Sequence, residues 1–153
     1  MSDPKFKIAF LIYPEMTQLD FSGPAEVLGM MPDAEVTLVW KSIEPVRSDI
    51  GITFLPTATI FDDVAYDMIC VPGGFACTDM MLDESILNWL RQQAKTAEYI
   101  TSVCNGSLVL AAAGLLKGYN AGCHWAWADQ LEKFGATPVR KRVVIDRNRI
   151  TAG

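Results

Sequence analysis

The chain has 153 residues, of which 50% are hydrophobic and 20% charged, with a formal net charge of −5. That balance places it among compact globular proteins and excludes a disordered or fibrous chain. Residues 1–132 hold 7 basic and 17 acidic side chains, and residues 133–153 hold 6 basic and 1 acidic. An acidic body argues against nucleic acid as a partner.

No run approaches the ~20 apolar residues of a membrane span. The start moves from a short polar lead into an apolar run without a signal-type cleavage site, so the cytoplasm is the expected compartment. Four cysteines, Cys70, Cys77, Cys104 and Cys123, contain no C-x2-C pair, and His124 is the sole histidine. Reduced thiols and no metal site are therefore expected.

In chain order, residues 6–12 (FKIAFLI) read as a strand buried on both faces of a parallel sheet. Ser22-Gly23-Pro24 supplies an N-cap and an early proline for a helix with Val27, Leu28 and Met31 on one face, ended by Pro32. Residues 35–41 and 51–55 read as strands, and 66–71 as another, closed by Pro72-Gly73-Gly74. Asp83 caps an amphipathic helix through Ile86, Leu87, Leu90 and Ala94.

Residues 98–103 form one more β-rich run, and 106–116 a helix that stops at Gly118. A last helix is predicted over 125–134, ended by Gly135. Residues 139–145 and 149–151 then form a hairpin around Asp146-Arg147-Asn148. Strand and helix alternate, which implies a single doubly wound α/β domain.

In such a sheet, ligands bind beyond the carboxyl ends of the strands. Three turns there stand out: residues 18–24, 71–74 and 102–107. In the third, a strand leads into Cys104, and Gly106 and Ser107 follow before an alanine-rich helix, as in a nucleophile elbow. The positive end of that helix would lower the thiol pKa toward neutrality. The N–H of Asn105, with that of Gly73 or Gly74, could stabilise developing negative charge. The alternative is a buried cysteine acting as a small hydrophobe.

Asp20 is either a turn and capping residue or a partner of Cys104. An ionised carboxylate beside the thiol would raise its pKa, whereas a shared proton would stabilise a thiolate and supply a general acid. His124 could pair with the cysteine or serve only packing and capping at a helix start. Cys70 reads as core, and nothing in the sequence activates Cys77 or Cys123. Trp40, Trp89, Trp125 and Trp127 read as core and interface residues.

These turns lie in the segments FLIYPEMTQLDFSGPAEVL, DMICVPGG, RQQAKTAEYITSVCNGSLVLAAAGLLKG, CHWAWADQLEKFGATPV and RVVIDRNRITAG. Together they resemble the DJ-1/PfpI (ThiJ) superfamily, and within it most closely the bacterial isocyanide hydratases. The resemblance implies a flavodoxin-like three-layer sandwich, a homodimer, and Cys104 as nucleophile. Asp20 matches the aspartate that the hydratase branch carries in its LD-x-x-GP segment.

It further implies that an isocyanide and water become an N-substituted formamide through a Cys104 thioimidate, with Asp20 as general acid/base and no cofactor or metal. Hydratases usually carry threonine where Asn105 stands. The family continues beyond residue 153 with a glycine-rich turn and a further helix. The span is therefore expected to be C-terminally incomplete relative to the family, and to expose apolar surface if made alone. The same motifs occur in the ligand-sensing domains of AraC-type transcription regulators, which is the alternative reading. Another cysteine-dependent enzyme of the superfamily, a deglycase or amidase, is a further one.

Overall fold

The computed structural model describes residues 5–153. Strand β1 (Phe6–Leu11) leads to helix α1 (Leu19–Gly29) and strand β2 (Ala34–Trp40). Short strands β3 (Val46–Arg47), β4 (Thr53–Phe54) and β5 (Ala58–Thr59) follow, then β6 (Met68–Val71) and helices α2 (Cys77–Leu82) and α3 (Glu84–Ala94). After β7 (Tyr99–Val103) come α4 (Gly106–Ala112), β8 (Asn120–Ala121) and a 3-10 helix at Ala128–Phe134. The last elements are β9 (Thr137–Pro138), β10 (Val143–Asp146) and β11 (Arg149–Ala152).

Seven strands form one sheet in the order β10-β11-β7-β6-β1-β2-β5. All neighbouring pairs in it are parallel except the β10–β11 hairpin. The expected α/β sandwich is what the chain forms. β1 lies inside the sheet between β6 and β2, and Ile8, Phe10, Leu11 and Ile12 are fully buried. Each such side chain contributes about 1.5–3 kcal/mol through the apolar surface it removes from water. Among the described residues no helix is long and apolar enough to cross a membrane.

Several local expectations are corrected. Helix α1 starts at Leu19, so Ser22 lies inside it rather than capping it, and Gln18 at the N-cap makes no side-chain cap bond. Its inward residues are Phe21, Ala25 and Leu28, an i, i+4, i+7 stripe, while Val27 and Met31 are exposed. Residues 51–55 do not join the main sheet. Gly51 turns the chain at a φ of +86°, and β4 folds back on β3 as a separate hairpin.

Helix α4 ends at Ala112, before Gly114 at a φ of +82°, so it is shorter than the 106–116 expected. The segment before Gly135 is a 3-10 helix, and the terminal hairpin pairs Val143–Asp146 with Arg149–Ala152. Helix α2 had no counterpart in the sequence reading.

The capping prediction at Asp83 holds. Its carboxylate accepts the N–H groups of Ser85 (3.1 Å) and Ile86 (3.4 Å), and Ile86, Leu87 and Leu90 of α3 are buried.

Candidate active site at the carboxyl edge of the sheet

From β1 the chain runs outward to β2 on one side and, later, through β6 to β7 on the other. The crevice between β1 and β6 is therefore the switch point at which an open α/β sheet presents a site. Three segments meet there. Helix α1 brings Asp20, the turn after β6 brings Gly73 and Gly74, and the turn after β7 brings Cys104 and Asn105.

Cys104 has a φ of +58°, in the left-handed region. A side-chain-bearing residue adopts it at a cost of roughly 1–2 kcal/mol, so surrounding contacts must enforce it. Two do. The Cys104 N–H donates to the Ala152 carbonyl at 2.8 Å, which ties the turn to the end of β11. Below it, α4 packs so closely on the end of β6 that a Cβ on Gly106 would lie 2.2 Å from the Val71 carbonyl oxygen. A strained residue between a strand and a helix that begins with an obligatory glycine is the geometry of a nucleophile elbow.

The Asp20 carboxylate accepts the Gly73 N–H at 3.0 Å and sits beside the Cys104 thiol. Burial raises the Asp20 pKa, and the Gly73 N–H and the thiol oppose that rise. The charge of Asp49 adds to it and that of His124 opposes it. Burial likewise pushes the Cys104 thiol up, to about 11, with the Asp20 charge adding to the rise and the Asn105 backbone N–H opposing it.

The thiol is therefore not shifted toward neutrality as the helix N-terminus alone implied. Desolvation and a neighbouring carboxylate outweigh one backbone donor. Burial and their mutual proximity thus raise both groups, and the thiol stands directly beside the carboxylate.

The glycine turn departs from its expected role. The Gly73 N–H is given to Asp20 and the Gly74 N–H to Asn105 Oδ1 at 2.8 Å. Neither is left to donate to a bound anion, and the Asn105 N–H facing the sulfur is the backbone donor that remains. Above the turn, Tyr13 is fully buried and donates its hydroxyl to the Pro72 carbonyl at 2.7 Å.

An open cavity of about 500 Å³ lies over Cys104 and Asn105, walled by Thr17, Phe75, His124 and Trp127. His124 thus reaches the cavity, where its Nδ1 accepts the Ala126 N–H at 3.2 Å. Of the four tryptophans read as core and interface residues, Trp89 is buried, Trp125 is 76% exposed and Trp127 is a cavity wall.

Phe75 and Trp127 were missed as walls. Adjacency of Phe75 to Gly73-Gly74 was the one available signal. Cys70 is core, as expected. Cys77 and Cys123 are buried too, and Cys77, whose pKa burial pushes up to about 12, donates its thiol to the Asn105 carbonyl at 3.1 Å. Among the described residues no group of three or more His, Cys, Asp or Glu side chains is placed to hold a metal ion.

Comparison with known proteins agrees with this fold. The chain is 50% identical over 147 residues to the isonitrile hydratase of Pseudomonas putida, covering 96% of this chain and 64% of that protein. It is 29% identical to the HTH-type transcriptional regulator GbdR of Pseudomonas aeruginosa, over 95% of this chain and 41% of the regulator. Its fold superposes on the crystal structure of a ThiJ/PfpI family protein from Pseudomonas syringae with a TM-score of 0.94 at 44% identity, covering 97% of this chain and 62% of that one. The chain thus spans less than two thirds of the length of these relatives. Residues 6–153 match the DJ-1/PfpI family profile, and the chain belongs to the DJ-1/PfpI family.

Proposed function

We propose that this protein hydrates isocyanides to N-substituted formamides. The reading is carried by the Cys104 thiol set beside the Asp20 carboxylate, in a chain half identical to a protein named isonitrile hydratase. The terminal carbon of R–N≡C can accept a nucleophile and a proton at the same atom, and a thiol next to a carboxylate offers both. Asp20 takes the proton from Cys104 as sulfur adds to that carbon, then delivers it to the carbon, giving the thioimidate R–N=CH–S–Cys104.

Water adds to the thioimidate carbon, the nitrogen gains a proton, and the C–S bond breaks. The products are R–NH–CHO and the restored thiol. The atoms balance without a redox partner. The Asn105 N–H steadies negative charge on sulfur when it leaves. The enzyme's contribution is orientation in the cavity and proton transfer over a short distance.

Incubation with an aryl or alkyl isocyanide tests this, with the formamide measured by mass spectrometry. Formamide from the protein and none above background from Cys104→Ala is the expected result. No formamide above that control would overturn it. A second reading, a ligand-sensing domain of a transcription regulator, is favoured by the similarity to GbdR. That reading predicts saturable binding of a small molecule without turnover.

A further inference from the structure

We propose that Asn105 is a positioning residue, whose side-chain amide locks the Gly73-Gly74 turn so that the Gly73 N–H stays aimed at the Asp20 carboxylate. The inference rests on Asp20 acting with Cys104, as in the function proposed above, but not on the identity of the substrate.

Asn105 is the N-cap residue of α4, a position at which asparagine usually turns its side chain onto its own helix. Here it makes no such bond. The buried amide reaches instead across the crevice and holds both sides of Gly74: Oδ1 accepts the Gly74 N–H at 2.8 Å, and Nδ2 donates to the Gly74 carbonyl at 3.1 Å. Gly74 has a φ of +143°. Glycine reaches that conformation without a Cβ penalty, and the Asn105 amide joins the Thr17 N–H on the Gly73 carbonyl (2.9 Å) and the Cys77 N–H on the Gly74 carbonyl (3.2 Å) in holding the turn there.

The peptide one step earlier carries the N–H given to Asp20. The fit is close enough that a Cβ on Gly73 would lie 2.4 Å from Asn105 Oδ1. A closed chain of contacts therefore runs from Asn105 through Gly74 and Gly73 to Asp20, and back to Cys104. The residue after the nucleophile governs the nucleophile's proton partner by way of a turn on another strand. The threonine expected at this position has a shorter side chain with one polar atom in place of the amide's separate Oδ1 and Nδ2, so it lacks the two-atom span that reaches the Gly74 N–H and carbonyl together.

Loss of the Gly73 N–H bond removes a contact that favours the ionised carboxylate, so the carboxylate should protonate at higher pH. Other titratable groups face this pair from around the crevice: Tyr13 after β1, Asp49 after β3, Cys77 on α2, and Cys123 and His124 after β8. The test therefore uses a background without Asp20 to isolate its contribution.

The experiment is the pH dependence of Cys104 alkylation by iodoacetamide, followed on the Cys104 peptide by mass spectrometry. The proteins are wild type, Asn105→Ala, Asp20→Asn and the double variant. In wild type the rate falls at acid pH as the pair takes up its second proton. In Asn105→Ala that acid limb should move up by about one pH unit. In the Asp20→Asn background, Asn105→Ala should leave the remaining thiol titration unmoved.

An acid limb that stays in place in Asn105→Ala overturns the proposal. So does a thiol titration that moves equally far in the Asp20→Asn background, since the amide would then act on sulfur or on the fold. Should Asn105→Ala fail to fold, Asn105→Ser, whose shorter side chain keeps a polar atom in place of the amide, is read in the same way and should show a smaller shift. Alkylation needs no isocyanide. A positive result alongside absent formamide would discard the hydratase reading alone, and the reverse would discard this proposal alone.

Discussion

Asp20 on α1 accepts the backbone N–H of Gly73, a residue 53 positions later in the chain, at 3.0 Å. The bond fixes the carboxylate at the crevice where Cys104 also emerges. It satisfies one carboxylate oxygen, and the thiol lies beside the group as a whole.

Replacement of Asp20 by asparagine separates the two consequences of this arrangement. The amide oxygen can still accept the Gly73 N–H, so the fold should hold. Removal of the negative charge should lower the Cys104 pKa from about 11. Alkylation at neutral pH should therefore quicken while formamide formation falls, by about 100-fold or more for a lost general acid/base. An Asp20→Asn protein with near-normal turnover would discard the proton-relay role.

Backbone strain at Cys104 predicts an unusual stability order. Cys104→Gly, which removes the Cβ penalty at a φ of +58°, should be as stable as Cys104→Ala or more so, by up to ~1 kcal/mol. Cys104→Val should be the least stable, because β-branching disfavours the left-handed region. Urea unfolding midpoints decide it, and a glycine variant weaker than the alanine one contradicts enforced strain. All three lose the thiol and should make no formamide.

Two glycines distinguish steric contact from dihedral preference. A Cβ on Gly106 meets the Val71 carbonyl oxygen at 2.2 Å, whereas one on Gly118, at a φ of +78°, meets nothing within 4 Å. Gly106→Ala should cost about 3 kcal/mol, since backbone must move. Gly118→Ala should cost about 1 kcal/mol, from its conformation alone. Comparable losses for the two in chemical denaturation would refute the close packing of α4 on β6.

Asp83 predicts a stability loss in acid. Burial works against its charge, but hydrogen bonds from Lys41 and Ser85, the Ile86 N–H and the charge of Lys41 hold the carboxyl below its ordinary 3.8. A folded-state pKa below the unfolded one stabilises the protein above the unfolded value, and that contribution is lost as pH falls through the folded value. The loss attributable to Asp83 thus begins near pH 4 and grows below it. Asp83→Ala should cost about 1 kcal/mol at pH 7 and remove that part of the pH dependence. An identical acid limb of stability in the variant would show that other groups carry it.

Much of the candidate site could be read from local pattern. A strand ending in Cys104-Asn105-Gly106, a proline-glycine-glycine turn after 68–71, and Asp20 beside Ser22-Gly23-Pro24 each carry a signal within a few residues. The elbow needed only the order strand, cysteine, small residues, helix. The direction of the Cys104 pKa was another matter. The helix N-terminus is visible in sequence, but burial and the distance to Asp20 are not, and those two dominate.

The errors in the fold have the same origin. Val27 and Met31 fit a helical stripe as well as Phe21 and Ala25 do, and the position of the sheet against α1 chooses between the stripes. Residues 51–55 have strand character, yet Gly51 turns them onto β3 and away from the sheet. Trp127 reads as a core or interface residue by composition, and its place with His124 at the carboxyl edge makes it a cavity wall.

Taken alone, the sequence determined the α/β class, the buried first strand, the cap at Asp83 and the position of the Cys104 turn, because periodicity, capping and turn chemistry act over a few neighbouring residues. Only the tertiary structure decided what surrounds that cysteine. It placed Asp20 against Gly73, spent the Gly73 and Gly74 N–H groups on side chains, and turned the Asn105 amide from its own helix onto Gly74. Those contacts join residues on α1, after β6 and after β7, and desolvation and hydrogen bonding there depend on distances in space that separation along the chain does not encode.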